Sequence, residues 1–178
     1  MKRDFVPGQS VQKFGIGDKH GRVERSEDPF IAEEGMPETA VCPDCHARYE
    51  HKRWTLDEEV AGQLPREEGA ARVLCPACRK IAGDYAEGIV ILRGAYLWKH
   101  EEEIRHLIHN EETRARDKNP LQRIISMARQ GDGLVIRTTE QKLAEHFGRA
   151  VHKAQQGDLR VSWDQGHVRC RVFWEREE

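Results

Sequence analysis

The chain has 178 residues, of which 38% are hydrophobic and 34% charged, with a formal net charge of -2 and a mean hydropathy of -0.78. That length suits one domain of about 100–150 residues with a small module beside it, and near-neutrality leaves any polyanion-binding surface to the distribution of charge. No apolar run approaches the ~20 residues of a membrane-spanning helix. The opening MKRDFVPGQS also has no apolar segment of the kind a signal peptide needs, so a cytoplasmic location is expected, where thiols stay reduced or bind metal.

Residues 1–38 carry Pro7, Pro29, Pro37 and five glycines, with no sustained periodicity, and read as a flexible tail without its own core. The tail is basic through Lys2, Arg3, Lys13, Lys19, Arg22 and Arg25, then mostly acidic from 24 to 38. A solvated leader is the plain reading. The functional alternative is an arm that orders on a polyanion, anchored by Phe5, Phe14 and Phe30.

Residues 39–82 form a metal-binding module. Cys42-Pro43-Asp44-Cys45 and Cys75-Pro76-Ala77-Cys78 are separated by 29 residues. Two cysteines at i and i+3 on a tight turn aim both sulfurs at one ion, and two such turns complete a tetrahedron. Redox dithiols need only one such pair. Tetrahedral S₄ suits iron as well as zinc, yet the repeated knuckle favours a single structural zinc in a small ribbon. His46 and His51 are close enough in sequence to act as ligands, but four cysteines already fill the shell. A filled shell argues against catalysis at the ion, because a catalytic zinc keeps one position open.

Residues 83–178 predict an α/β domain. A β-branched run over 89–92 is a buried strand, and Ile104, Leu107 and Ile108 recur within a helix over 98–118. Asn119-Pro120 stops that helix. Leu121, Ile124, Ile125 and Ala128 follow at helical spacing, so a second helix is expected from Pro120 to about residue 130. Gly131-Asp132-Gly133 leads to a strand over 134–137. Thr138 or Thr139 would then cap a helix carrying Leu143, Ala144, Phe147, Ala150, Val151 and Ala154 on one face. Leu159, Val161 and Trp163 alternate, as do Val168, Cys170, Val172 and Trp174, which predicts a closing hairpin. The expected class is α+β: a tail, a Cys₄ ribbon, then a mixed four-stranded sandwich of order β-α-α-β-α-β-β with one sheet face open.

The hairpin alternation places Arg160, Ser162, Arg169, Arg171 and Phe173 on that open face. Guanidinium groups there can meet phosphates while a ring stacks on a base. The bland alternative is that the arginines keep a sheet face soluble. Arg48, Lys52, Arg53, Arg79 and Lys80 surround the knuckles, with Tyr49 and Trp54 interleaved, a composition that favours nucleic acid. His106 and His109, with Glu102 and Glu103, could line a helical metal site, but a solvated helix face explains them more simply. Cys170 reads as a small buried hydrophobe. No P-loop, dinucleotide fingerprint or nucleophile elbow occurs, and no small-molecule substrate is implied, so an enzyme is not expected.

The knuckles followed by the run from Arg79 through Tyr85 and Glu87 to Leu92-Arg93-Gly94 resemble the N-terminal part of the archaeal and eukaryotic large-ribosomal-subunit export adaptor family (Nmd-three). There, paired C-x-x-C knuckles lead into a tyrosine-glutamate strand ending in Leu-Arg. The segment 133–175 is similar to that family's glycine-led strand, helix and hairpin. Short bacterial zinc-ribbon proteins share the layout from about 39 to 176. This chain has two knuckles where the adaptor has a longer cysteine series, and it lacks the adaptor's C-terminal extension. The resemblance implies an RNA-binding, ribosome-associated scaffold without catalytic residues, and not nuclear export. Arg53, Trp54, Arg79, Arg160, Arg169, Arg171 and Phe173 are the candidate RNA contacts, with a protein-docking module as the rival role and a metal-dependent hydrolase a more distant one.

Overall fold

The structure is a computed structural model that describes residues 35–56, 70–164 and 169–178. The expected tail through residue 34, with Phe5, Phe14 and Phe30, lies outside the described residues, as do 57–69 of the inter-knuckle insert and the tip of the last hairpin with Val168. All described residues fall within one compact unit, Ala32–Glu178, and none of their helices is long and apolar enough to cross a membrane.

The first layer is a four-stranded sheet of short strands: β1 (Ala40–Val41), β2 (Arg48–Glu50), β3 (Arg53–Thr55) and β4 (Ala71–Arg72), ordered β3-β2-β1-β4. β1 and β4 run parallel. Both therefore deliver the chain to the same end of the sheet, where the two cysteine pairs begin. Helix α1 (Pro76–Ala82) follows the second pair, with Pro76 at its first turn, where a missing N–H costs nothing.

The larger layer is a five-stranded sheet: β5 (Gly88–Arg93), β6 (Ile124–Gln130), β7 (Gly133–Thr138), β8 (Asp158–Trp163) and β9 (Cys170–Glu175), ordered β6-β7-β5-β9-β8. β5 and β9 pair in parallel at the centre; the other neighbours are antiparallel. Helices α2 (Ala95–Lys99), α3 (Glu101–Lys118) and α4 (Gln141–Gln155) are the remaining elements among the described residues. Val90 and Leu92 of β5, Leu134 and Ile136 of β7, and Cys170, Val172 and Trp174 of β9 face Leu97, Ile104, Ile108, Leu143, Phe147 and Val151 in one buried cluster. Strand alternation puts one residue in two into this core.

The α+β class, the ribbon and the closing hairpin stand as expected, but the topology is corrected in one element. The segment after Pro120 is strand β6, so the order over 83–178 is β-α-α-β-β-α-β-β with five strands. Leu121, Ile124, Ile125 and Ala128 fit a helical face, but β-branched Ile124 and Ile125 fit a pleated edge as well. The turn decides. Gln130 pairs with Gly133, and Gly131 alone in the two-residue link has positive φ, +60°, as a type II′ hairpin turn requires. The long helix is also shorter at its start, because His100 (φ -122, ψ 23) separates α2 from α3. Neither Thr138 nor Thr139 caps α4, whose N-cap is Glu140 with no side-chain bond. The Thr138 hydroxyl donates to the Glu140 carbonyl at 2.8 Å. The Thr139 hydroxyl donates to the Leu121 carbonyl at 2.6 Å.

Helix α4 lies close on the sheet at Gly148. A methyl group there would come within 2.3 Å of Val172 Cγ1 and 3.1 Å of Leu159 Cδ1. Alanine would gain about 1 kcal/mol of helix propensity, but crowding a stiff valine on a central strand costs about 1–3 kcal/mol or more. Gly148→Ala is expected to lower the urea midpoint, through a net loss of stability of up to about 2 kcal/mol. A raised midpoint would show that α4 does not pack this closely.

Candidate metal centre and nucleic-acid interface

The first knuckle is a closed turn between β1 and β2. The Cys42 N–H donates to the Ala47 carbonyl at 2.8 Å and the His46 N–H to the Cys42 carbonyl at 3.0 Å. Closing it puts His46 in the left-handed region, φ 62. The second knuckle is the entrance to α1: Cys75 is the N-cap, and its sulfur accepts the Cys78 N–H at 3.4 Å. The Cys75 N–H in turn donates to Cys42 Sγ at 3.3 Å. Backbone donors thus point at the sulfurs from both knuckles, an arrangement that favours thiolates.

The four sulfurs all lie within 4.8 Å of one another, with Cys45 Sγ and Cys75 Sγ 3.6 Å apart. A tetrahedron with ~2.3 Å metal–sulfur bonds has edges of about 3.8 Å, so this spacing fits one ion. Ala47 and Ala77 are buried with the cysteines, and Trp54, Leu56, Leu74 and Leu121 pack around them. Left to themselves the sulfurs cannot all ionise. The hydrogen bond from Cys75 lowers the Cys45 pKa to about 5, against the effect of burial. The same bond, followed by burial, drives the Cys75 thiol strongly upward. Burial, then the charge on Cys45, raises Cys78 to about 12. Four cysteines so placed can hold a metal ion whose charge removes this conflict.

Among the described residues no other group of histidines, cysteines and carboxylates is positioned to hold metal. His106 and His109 are exposed on α3, and His109 Nδ1 lies 3.7 Å from Glu112. Cys170 is buried in the sheet, and its thiol is raised to about 11 by burial and the charge of Glu145.

The bare face of the five-stranded sheet can be read from its register. One row across the strands is Ser126, Arg137, Ile89, Arg171, Ser162. The next is Ala128, Val135, Ile91, Phe173, Arg160. At the far side, Arg93 pairs with Glu175, and Glu175 with Asp158. An apolar row thus has arginines along one side and at one end, and a mixed row of Arg93, Glu175 and Asp158 along the other side. Phe173 is 38% exposed, enough for its ring to be reached. Arg169 stacks over the Tyr85 ring at 5.5 Å, and Arg160 is 4.0 Å from Glu175 with both side chains largely exposed, a weak pair in water.

Arg160, Arg169, Arg171 and Phe173 therefore share one surface. Arg53 is exposed on β3. Trp54, by contrast, packs against the cysteines and lies 5.3 Å from the Tyr49 ring, while Arg79 is half-buried on α1. Arg137 escaped the sequence reading, although its strand was expected and alternation with Leu134 and Ile136 could have placed it outward. It pairs with the Asp84 carboxylate and donates to the Asp84 carbonyl at 2.8 Å. No family model, curated protein or solved structure matches the chain.

Metal uptake near pH 7 must expel at least the protons held on Cys75 and Cys78, so two or more protons should leave per ion, and affinity should fall as pH falls. Titration calorimetry in buffers of different ionisation enthalpy measures that release. Proton-neutral uptake with pH-independent affinity would contradict the site described here.

Proposed function

We propose that the protein is a non-enzymatic, cytoplasmic zinc protein that binds RNA, with ribosomal RNA on the ribosome as the expected partner. The observation that carries this is the two-row pattern on the open sheet. Arg137 and Arg171 flank an apolar row that contains an accessible Phe173, with Arg160 at its end and Arg169 beside it. Single-stranded RNA offers matching features: phosphates for guanidinium groups and bases for a ring. Glu175 and Asp158 disfavour phosphates at the far corner, so the row of Arg137 and Arg171 is the more favourable phosphate path. The same partner class is what the resemblance of the knuckle-to-strand run, Arg79 to Gly94, to the ribosomal export adaptor family implies.

Zinc is the ion proposed for the four cysteines. Four sulfurs leave no open coordination position, so its role is structural. One zinc per chain is expected by elemental analysis, and iron would refute that assignment. The apolar row of Ala128, Val135, Ile91 and Phe173 also supports a second reading, in which the face docks a protein. Salt separates the two, because counterion release makes RNA affinity fall steeply with ionic strength.

The test is fluorescence anisotropy with a single-stranded RNA across a salt series. Replacing Arg160, Arg169 and Arg171 together by alanine should leave stability within about 0.5 kcal/mol per site. It should weaken binding and flatten the salt slope by about 0.7 unit for each phosphate that is no longer neutralised. Phe173→Ala should weaken binding by about 1–3 kcal/mol. A folded triple variant that binds RNA as the parent does would reject this face.

A further inference from the structure

The cysteine centre also touches the segment between α3 and β6. Arg123 Nη1 donates to Cys78 Sγ at 3.3 Å. Two residues earlier, Leu121 packs on the cysteine cluster. From the sheet side this segment is held at Thr139, just after β7, beside the contact of Asn119 with Glu140 and the pairing of Ile124 with Thr138. The Arg123 N–H donates to Thr139 Oγ1 at 2.9 Å, and the Thr139 N–H donates to the Arg123 carbonyl at 3.0 Å. Thr139 is fully buried, so its backbone and hydroxyl fix the segment firmly. Arg123 is thus anchored to the sheet through its main chain and to a metal-site sulfur through its side chain.

The electrostatics give this bond a purpose. A divalent ion with four thiolates carries a net charge of -2 in a site largely closed to water. The backbone N–H donors supply only dipoles, whereas the Arg123 guanidinium brings a full positive charge directly onto a ligand sulfur. Lys80 on α1, another cation at this junction, lies 2.6 Å from Glu87 in a buried pair that neutralises it.

We propose that Arg123 is the outer-sphere cation of the cysteine centre, holding the Cys78 thiolate and joining metal site and five-stranded sheet into one cooperative unit. This role rests on metal occupancy of the four cysteines, but it is independent of RNA binding. Arg123 is a positioning residue: it does not ligate the ion, and by offsetting charge on Cys78 Sγ it holds the sulfur in place, resists its protonation and makes it a poorer nucleophile. Two consequences follow from linkage. Removing the guanidinium loosens the ion, and removing the ion loosens the segment around Arg123.

The test compares the metal-loaded parent with R123M, which keeps the aliphatic bulk, and with R123K, which keeps the charge. Metal transfer to a chromogenic chelator should be about ten-fold faster for R123M, the rate counterpart of the roughly ten-fold loss of metal affinity on removing an outer-sphere partner, and R123K should recover part of the difference. Alkylation should rise selectively at Cys78, whereas a general packing defect would expose all four thiols alike. In the parent protein, chelation should speed hydrogen exchange at 121–123 and at Thr139 while leaving β8 and β9 protected. A preparation without metal would overturn the metal reading itself. A loaded R123M that transfers metal at the parental rate, or exchange at 121–123 indifferent to metal, would overturn the role of Arg123 alone.

Discussion

Helices α2, α3 and α4 bury one face of a five-stranded sheet, and among the described residues they leave the other face bare. Every strand must therefore alternate between apolar and water-compatible residues. Cys170, Val172 and Trp174 point inward with Arg171, Phe173 and Glu175 between them, so a one-residue slip of β9 would invert both faces. The position of Trp174 shows how firmly the register is held. Its ring is in the core, while its indole N–H donates to the Gln156 carbonyl at 2.5 Å just beyond the end of α4. Burial of a large ring with its polar atom satisfied fixes the strand along its length as well as its facing.

The cysteine centre follows a different logic. Its strands have two or three residues each and bury little. Cohesion there comes from N–H groups aimed at sulfur, and an ion held by the four cysteines would add to it, as expected where a small module cannot build a core of its own. Its junction with the sheet is largely polar: the buried Lys80–Glu87 pair, the clasp of Asp84 on Arg137 and Arg123 on Cys78, with Leu121 as an apolar contact. Such a pair loses strongly if one partner is removed, yet adds little net stability compared with an apolar contact. The junction therefore specifies orientation more than it adds stability.

Much of this was legible in the sequence, for physical reasons that differ by element. The cysteine spacing dictates its own geometry, and strict alternation in β8 and β9 admits only one pleated arrangement. Phe147 and Val151 on α4 sit a turn apart and could hardly face anything but a core. The segment after Pro120 was ambiguous because isoleucines spaced for a helix can equally line an edge strand, and tertiary pairing with β7 overrode the local pattern. That error also hid Arg123, which only a strand-and-loop reading brings to Cys78. Arg137 was visible by alternation alone; its clasp by Asp84 was not, since it depends on where α1 ends relative to a strand about fifty residues later.

The parallel pairing of β5 with β9 has a consequence for how the molecule is made. The two central strands are about 80 residues apart in sequence. At ribosomal rates of about 5–20 residues per second, β5 emerges roughly 4–16 s before its inner neighbour. In that interval the β6–β7 hairpin can cover one edge of the Ile-Val-Ile-Leu strand, while the other edge stays open, a template for mispairing between nascent chains. Both knuckles are complete by Cys78, so the four cysteines can come together before any of the large sheet exists. Synthesis thus places assembly of the cysteine cluster early and that of the large sheet late, waiting for β9.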